Sequence, residues 1–112
     1  MAVKAVAKDI SVSTKRVKPL LELIRGKKVD EALSILSFQP SPWARTVAKV
    51  VRSAAANAEN NLMLDPDRLV IVRAYADTAG GLDRFQPHAR GRVGRIFKRF
   101  SHITVEVDEE AS

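Results

Sequence analysis

Cysteine is absent from this chain of 112 residues, so neither a disulfide nor a thiolate metal site can form. Aromatic residues make up only 5% of the chain, and no apolar run approaches the length of a membrane span. The N-terminal stretch carries Lys4 and Lys8 where a signal peptide would have its apolar region. Length and these absences predict a single intracellular, soluble domain over residues 1–112.

Residues that would support catalysis are also few. The two histidines, His88 and His102, lie in a stretch without any acid between Asp83 and Glu106. No nucleophile motif, phosphate-binding loop or dinucleotide fingerprint is present. We therefore expect no enzymatic activity, no cofactor and no metal site.

The missing acids leave one segment strongly basic. Before Arg84 the chain holds thirteen Lys or Arg against nine Asp or Glu, so most of it is nearly balanced. The next sixteen residues contain six bases and no acid: Arg84, Arg90, Arg92, Arg95, Lys98 and Arg99. The formal net charge of +6 is thus a property of this segment. Such runs often form a solvated face or a disordered tail, but here the flanking sequence resembles strands.

The flanking sequence predicts one long antiparallel hairpin. Residues 69–76 are apolar and β-branched, and apolar residues alternate with polar ones over 102–107. Turn residues lie between them at 86–91, and folding there would place Tyr75 opposite His102. Each arm of about 17 residues would reach on the order of 55 Å, whereas a compact chain of this size has a radius of gyration of about 13 Å. The hairpin should therefore overhang the body as an arm at about residues 78–100. A positive arm without acids suits the phosphate backbone of a nucleic acid.

The remaining sequence predicts a strand over 2–12 that could join the base of the hairpin, followed by three helices. The helices are expected over 14–25, 29–38 and 42 to about 60, with Ser13 and Ser41 as N-caps and Gly26 just past the first helix. We expect Phe38, Trp43 and Tyr75 in the core, whereas the phenylalanines of the arm would either join its strands or stack on bases. The other core candidates are Leu21, Ile24, Leu33, Leu36, Val47, Val51, Ile103 and Val105.

Bases outside the arm fall into two groups. Lys15, Arg16 and Lys18 lie in the first turns of the first helix, where they oppose the helix dipole and where a bound phosphate would offset that cost. A second set at helical spacing lies on the third helix, at positions 45, 49 and 52. Two functional classes remain open from these patterns. One is an RNA-binding structural protein, and the other is a DNA-binding protein with a basic β-ribbon.

Three strings carry a resemblance to a known family. They are LIRGKKVDEAL (Leu23 to Leu33), AAANAENN (Ala54 to Asn61) and ARGRVGRIFKRFSHITV (Ala89 to Val105). In this order they resemble large-subunit ribosomal protein twenty-two of the bacterial type, over about Ser13 to Val107. The last string is highly specific for that family.

The resemblance implies an α+β fold in which three helices pack on a small three-stranded antiparallel sheet, with a long protruding β-hairpin. It also implies a structural constituent of the large subunit of the cytoplasmic ribosome. Such a protein binds large-subunit ribosomal RNA, supports assembly and lines the polypeptide exit tunnel with its hairpin tip, near the macrolide site. Its partners would be that RNA, neighbouring ribosomal proteins and the nascent polypeptide, with no membrane and no homo-oligomer.

The resemblance and the charge pattern together select the site residues. The RNA-binding candidates are Lys15, Arg16, Lys18, Arg25, Lys27, Lys28, Arg84, His88, Arg90, Arg92, Arg95, Lys98 and Arg99. The tunnel tip would comprise Gln86, Pro87, His88, Ala89, Arg90 and Gly91. This chain departs from the family at Asp83, His88 and Phe100, where a basic residue, an arginine and a threonine are usual.

Overall fold

Apolar and β-branched segments near the two ends of the chain pair into one sheet, and three helices lie between them in sequence. The structure, a computed structural model, describes residues 3–10, 12–87 and 93–109, without the side chains of residues 9, 79–87 and 93–99. In chain order its elements are β1 (Val3–Ile10), α1 (Thr14–Ile24), α2 (Val29–Ser37), α3 (Trp43–Leu62), a 3₁₀ turn (Pro66–Arg68), β2 (Leu69–Pro87) and β3 (Val93–Glu109).

The sheet is antiparallel and has the strand order β1-β3-β2. The central strand β3 therefore pairs with both of the others. Its alternate residues Ser101, Ile103, Val105 and Val107 are fully buried, because successive residues of a strand point to opposite faces and this face meets the helices. Three helices on a three-stranded antiparallel sheet confirm the predicted α+β fold, and the β2–β3 hairpin is consistent with the predicted long hairpin.

The predicted register of the hairpin is wrong. Tyr75 lies opposite Thr104 rather than His102. The register shifts twice along β2, once after Ile71 and once after Thr78. The assumed turn accounts for the error: folding about His88 and Ala89 would place Pro87 opposite Arg90, whereas Pro87 pairs with Val93. The two shifts along β2 reduce this difference of three residues to two at Tyr75 and to one at Leu69.

The core lies between the helices and the inward face of the sheet. α1 packs on β2, α3 lies across β1 and β3, and α2 packs on α3. Small side chains at Ala54 and Ala58, both fully buried, let α3 approach the sheet closely. Seven predicted core residues are buried, namely Leu21, Ile24, Leu36, Val47, Val51, Ile103 and Val105. The eighth, Leu33, is only partly buried against this core.

Two of the three aromatic residues predicted in the core lie at the surface. Trp43 is partly buried against the core, but Phe38 is 83% exposed and Tyr75 is 36% exposed. Phe38 is two residues beyond the buried Leu36, and about 100° of rotation per residue carries it to the opposite side of the helix. Tyr75 follows the buried Ala74 on β2, and the alternation of a strand turns it to the outer face of the sheet. The arm residues Phe85 and Phe97 have side chains outside the described part of the structure.

The predicted helix boundaries agree with the structure to within two residues. Gly26 follows α1 with φ +75°, as expected for the residue that ends a helix in the left-handed conformation. Ser13 makes no side-chain cap hydrogen bond, whereas the Ser41 hydroxyl accepts a bond from the Trp43 amide at 3.3 Å. α3 begins at Trp43, one residue later than predicted, and ends before Met63, which has φ 56°.

A buried hydrogen bond joins the sheet to the start of α1. Ser101 Oγ donates to the Val12 carbonyl at 2.6 Å, and neither residue is more than 4% exposed. We expect Ser101→Ala to lower the free energy of unfolding by about 1–3 kcal/mol, because the buried carbonyl loses its donor. Urea denaturation measures this loss. The control is Ser37→Ala, which removes an exposed bond of 2.6 Å to the Ser34 carbonyl and should change stability by less than about 0.5 kcal/mol. Equal losses would contradict the role of burial.

Candidate nucleic-acid interface

The hairpin continues past the end of the three-stranded sheet. The last pair between β1 and β3 joins Ile10 to Ser101. Beyond it, β3 pairs with β2 alone, from Gly81 opposite Arg99 to Pro87 opposite Val93. The molecule measures 66 × 27 × 17 Å along its principal axes, and its radius of gyration is 17.2 Å. That radius exceeds the roughly 13 Å of a compact chain of about 100 residues, as a projecting ribbon requires.

The ribbon holds four of the six bases predicted for the arm on its described backbone. Arg84 lies opposite Ile96 on β2, and Arg95, Lys98 and Arg99 follow one another along β3. The side chains of all four lie outside the described residues. At the predicted tip, the structure describes only the backbone of Gln86 and Pro87. The other predicted residues of this region lie outside the described part of the chain, namely His88, Ala89, Arg90, Gly91 and Arg92.

The loop between α1 and α2 is bonded to the free edge of β2. The Gly26 amide donates to the Ile71 carbonyl and the Ile71 amide donates to the Lys27 carbonyl, each at 2.9 Å. Lys28 forms an isolated bridge with Val70. The loop thus acts as a short additional strand at the base of the hairpin.

This pairing presents three predicted RNA-binding residues on one rigid loop. Arg25, Lys27 and Lys28 are all exposed. Arg25 Nε donates to the Ala74 carbonyl at 2.8 Å, which fixes its guanidinium against β2. Nothing in the sequence predicts the pairing of this loop with the edge of β2, because main-chain hydrogen bonds do not depend on side-chain identity.

The bases of α1 lie at the other end of the same helix. Lys15, Arg16 and Lys18 are exposed, whereas the buried stripe of α1 faces the sheet and α3. The first turn of α1 contains no acid. At 1.5 Å per residue, Lys18 lies about 10.5 Å and Lys15 about 15 Å from Arg25 along the helix axis. These two groups of bases are together called the α1 surface, and the exposed Glu22 lies between them in sequence.

Carboxylates neutralise a different part of the molecule. Glu106 Oε2 lies 3.7 Å from Arg73 Nε, and Glu109 Oε2 lies 3.9 Å from Arg68 Nη1, both at the end of the sheet away from the arm. No described carboxylate lies within 4.0 Å of a basic nitrogen of Lys15, Arg16, Lys18, Arg25 or Lys27. The α1 surface therefore keeps charge that an external anion can bind.

Within the described residues, no three His, Asp or Glu side chains come together as they would around a metal ion. The described helices include none with the length and apolar character to cross a membrane. What the geometry offers is a basic ribbon and a basic helix face, and both can bind a polyanion.

Comparison with known proteins agrees with this geometry. A family model described as ribosomal protein L22p/L17e matches residues 5–108. The chain belongs to this family.

Its relatives are large-subunit proteins of bacteria. The large ribosomal subunit protein uL22 of Dehalococcoides mccartyi strain BAV1 is 53% identical over 107 residues, which cover 96% of this chain and 98% of the relative. The uL22 protein of Clostridium tetani is 50% identical over 109 residues, which cover 97% of this chain and 98% of the relative. The uL22 protein of Thermomicrobium roseum is 48% identical over 109 residues, which cover 97% of this chain and 92% of the relative.

Membership of the L22p/L17e family confirms the resemblance and decides between the open functional classes. The chain is a structural protein of the large subunit of the cytoplasmic ribosome rather than an enzyme or a DNA-binding protein. Its partners accordingly include ribosomal RNA and other ribosomal proteins.

The loop of the α1 surface depends on the left-handed conformation of Gly26. A Cβ at this position would meet nothing within 4 Å, so substitution costs backbone strain and no clash. We expect Gly26→Ala to lower the free energy of unfolding by about 1–2 kcal/mol. Gly26→Asn should lose less, because asparagine tolerates this conformation. Urea denaturation of the three proteins checks the order, and an alanine variant as stable as the parent would contradict it.

Proposed function

We propose that the chain binds large-subunit ribosomal RNA through both the basic ribbon and the α1 surface, and that the tip of the hairpin lines the polypeptide exit tunnel. The observation that carries this proposal is the ribbon itself. Its strands run beyond the third strand of the sheet and bear Arg84, Arg95, Lys98 and Arg99, four of the six bases of the acid-free segment. The whole chain acts as one domain in this proposal, with its arm at about residues 78–100.

A two-stranded ribbon needs a partner surface. Isolated two-stranded hairpins are marginally stable in water, and clustered cations repel one another unless an anion lies between them. RNA phosphates meet both needs, since they neutralise the arginines and supply a surface along the ribbon. Because the chain belongs to a ribosomal protein family, ribosomal RNA is the polyanion that the ribbon would contact.

The α1 surface would anchor the body while the arm enters the RNA. Its loop is held by backbone hydrogen bonds to Ile71, so the main chain that carries its cations is fixed before binding. Arg25 is further fixed by its bond to Ala74. Preorganised cations of this kind bind phosphate at a lower entropic cost than free side chains do.

The tip would contact the tunnel lumen. The predicted core residues all lie outside 86–91, so this segment is not required for packing of the body. The family's place in the ribosome supports a role for the tip at a ribosomal feature, which we take to be the exit tunnel. The remaining partners of the proposal are the nascent polypeptide and neighbouring ribosomal proteins, with the chain present as a single copy.

RNA binding should depend steeply on salt. Each phosphate contact contributes roughly 0.7–0.9 to the slope of log affinity against log salt, because counterions are released. Replacement of Arg90, Arg92 and Arg95 by alanine should therefore reduce the slope by about 2–3. Filter binding to large-subunit RNA at several salt concentrations measures it. The control is Lys4→Ala with Lys8→Ala, two exposed cations of β1, which should leave the slope unchanged. A slope near zero for the parent protein would contradict the electrostatic account.

Deletion of residues 87–89 should separate folding from tunnel function. We expect the free energy of unfolding of the purified variant, followed through its thermal midpoint, to change by less than about 1 kcal/mol, because all the described core residues lie elsewhere in the chain. Ribosomes that carry the variant should show altered macrolide sensitivity or altered arrest by stalling peptides.

A second variant keeps the length of the tip and replaces residues 87–89 with glycine. If only the deletion changes drug response, the width of the lumen matters, and if both do, the side chains matter. Failure of the deletion variant to fold or to enter ribosomes would make the tip structural. Incorporation without any change in drug response or arrest would contradict the tunnel role.

A further inference from the structure

The two edges of the sheet differ in how they are covered. At the base of the hairpin, the edge of β2 is joined to the loop between α1 and α2 by two hydrogen bonds of 2.9 Å at Ile71. β1 forms the other edge of the sheet. Within the described residues, β1 pairs with no strand but β3, in a regular ladder from Val3 to Ala7. Because an edge strand presents a row of unpaired main-chain N–H and C=O groups, this edge of β1 is open to a further strand.

A groove lies along this open edge, between β1 and α3, and is here called the β1 groove. Its volume is about 330 Å³. Four residues of β1 and four of α3 line it, namely Ala5, Val6, Ala7, Ile10, Thr46, Lys49, Val50 and Ser53. The α3 residues recur at three- and four-residue spacing, so they share one face of the helix, which extends about 10.5 Å along the axis. Alternate side chains of a strand lie about 6.6 Å apart, so this face can cover two inward-pointing side chains of an added strand.

Lysines surround the open edge. Lys4 and Lys8 are exposed on β1, Lys49 is exposed in the β1 groove, and no acid lines the groove. Glu106 lies opposite Lys4 in the ladder, but its carboxylate oxygen Oε2 lies 3.7 Å from Arg73 Nε. Among the described side chains, no carboxylate lies within 4.0 Å of the amino groups of these three lysines. The charge at the edge therefore favours an acidic partner.

The same lysines argue against a second copy of this chain at the edge. Pairing of two β1 strands would place Lys4 and Lys8 of one copy beside those of the other, and like charges opposite one another destabilise a sheet. Lysines on an edge strand generally discourage such pairing. A nucleic acid would satisfy the lysines, but it has no repeating amide groups to pair with the main chain of the edge. An acidic polypeptide in an extended conformation satisfies both.

We propose that an extended segment of a neighbouring protein, in which acidic residues alternate with apolar ones, adds to the open edge of β1 as a fourth strand. Strand addition draws its affinity from main-chain hydrogen bonds and its specificity from alternate side chains. The apolar side chains of the segment would enter the β1 groove beside Val50. Its acids would lie on the outer face of the sheet beside Lys4, which points away from the core because its neighbour Ala5 is buried. This site binds protein and is independent of the RNA sites of the proposed function.

A peptide with the length of β1 tests the inference. The probe is a labelled eight-residue peptide of alternating valine and glutamate, added to the full-length protein at neutral pH. We expect fluorescence anisotropy to show binding, and hydrogen exchange to slow at the amides of residues 3–7 that do not pair with β3. Two control peptides should bind at least about 10-fold more weakly. One carries its valines and glutamates in two blocks, and the other is fully N-methylated and has no amide hydrogen to donate.

Charge at the edge is tested by a double substitution. Lys4→Ala with Lys8→Ala should weaken binding of the alternating peptide about 2- to 30-fold, because two pairs of opposite charge on neighbouring strands are lost. The matched control is Lys15→Ala with Lys18→Ala, which removes two exposed lysines of α1 and should leave peptide binding unchanged.

The β1 groove is tested by filling it. Ser53 is exposed and lines the groove, so Ser53→Tyr should place a ring in the path of the added strand and abolish detectable peptide binding. Ser34→Tyr is the matched control, since Ser34 is an exposed serine of α2 that does not line this groove. Peptide binding by Ser53→Tyr that equals binding by the parent overturns the inference.

The control peptides and the state of the protein provide further checks. If the N-methylated or the block peptide binds as tightly as the alternating one, the effect is charge attraction alone and strand addition is wrong. Equal binding of a valine–lysine peptide would contradict the choice of an acidic partner. A dimer of the parent protein with slowed exchange at residues 3–7 would show that a second copy occupies the edge, and this too overturns the inference.

RNA binding gives the proposed function a separate readout. The variant with Lys4 and Lys8 replaced by alanine should keep the salt slope of the parent for large-subunit RNA. A slope reduced by about 1.4–1.8 would assign these lysines to phosphates and overturn the inference. Absence of RNA binding by the parent protein would overturn the proposed function instead, while binding of the alternating peptide would stand.

Discussion

The rest of the structure depends on β3 being hydrogen-bonded on both edges at its C-terminal half. There it pairs with β1 and β2 at once, and its fully buried residues contact the helices. Ser101 marks the boundary of that anchored half, since it pairs with Ile10 and also donates to the Val12 carbonyl. A two-stranded ribbon alone is marginal in water. The arm can therefore keep one direction relative to the body only because β3 continues into a three-stranded, covered sheet.

The sequence predicted the fold well where side-chain periodicity determines it. Alternating residues such as Ile103 and Val105 identified a strand, and the glycine at position 26 identified the end of α1. The predicted register is wrong because the turn residues at 86–91 do not determine which two residues pair next to the turn, and Pro87 pairs with Val93. Phe38 was misplaced for another reason, since its apolar character predicts burial and only its angular position past Leu36 exposes it.

The sequence likewise predicts some parts of the candidate site and not others. Local charge alone was enough to identify the basic arm and the bases of α1. The loop at residues 25–28 carried a charge signal, but its pairing with Ile71 depends on how α1 packs against β2. The row on α3 was visible as a helical stripe. The groove beside it, between α2 and α3, was not visible, because it exists only through the position of α2 beside α3.

The distribution of ion pairs explains how a small basic protein can fold and still bind a polyanion. At the end of the sheet away from the arm, Glu106 and Glu109 lie beside Arg73 and Arg68, which lowers the repulsion among cations in the folded body. Arg73 and Arg68 stay 74% and 46% exposed in these pairs, so each pair contributes at most about 1 kcal/mol to stability. Their main effect is one of placement, since the acids of the last strand lie beside cations away from the arm. Among the described residues, no carboxylate lies within 4.0 Å of the basic nitrogens of Lys15, Arg16, Lys18, Arg25 or Lys27, or of the bases of α3 at positions 45, 49 and 52. Folding therefore leaves its uncompensated charge on the faces where phosphates can approach.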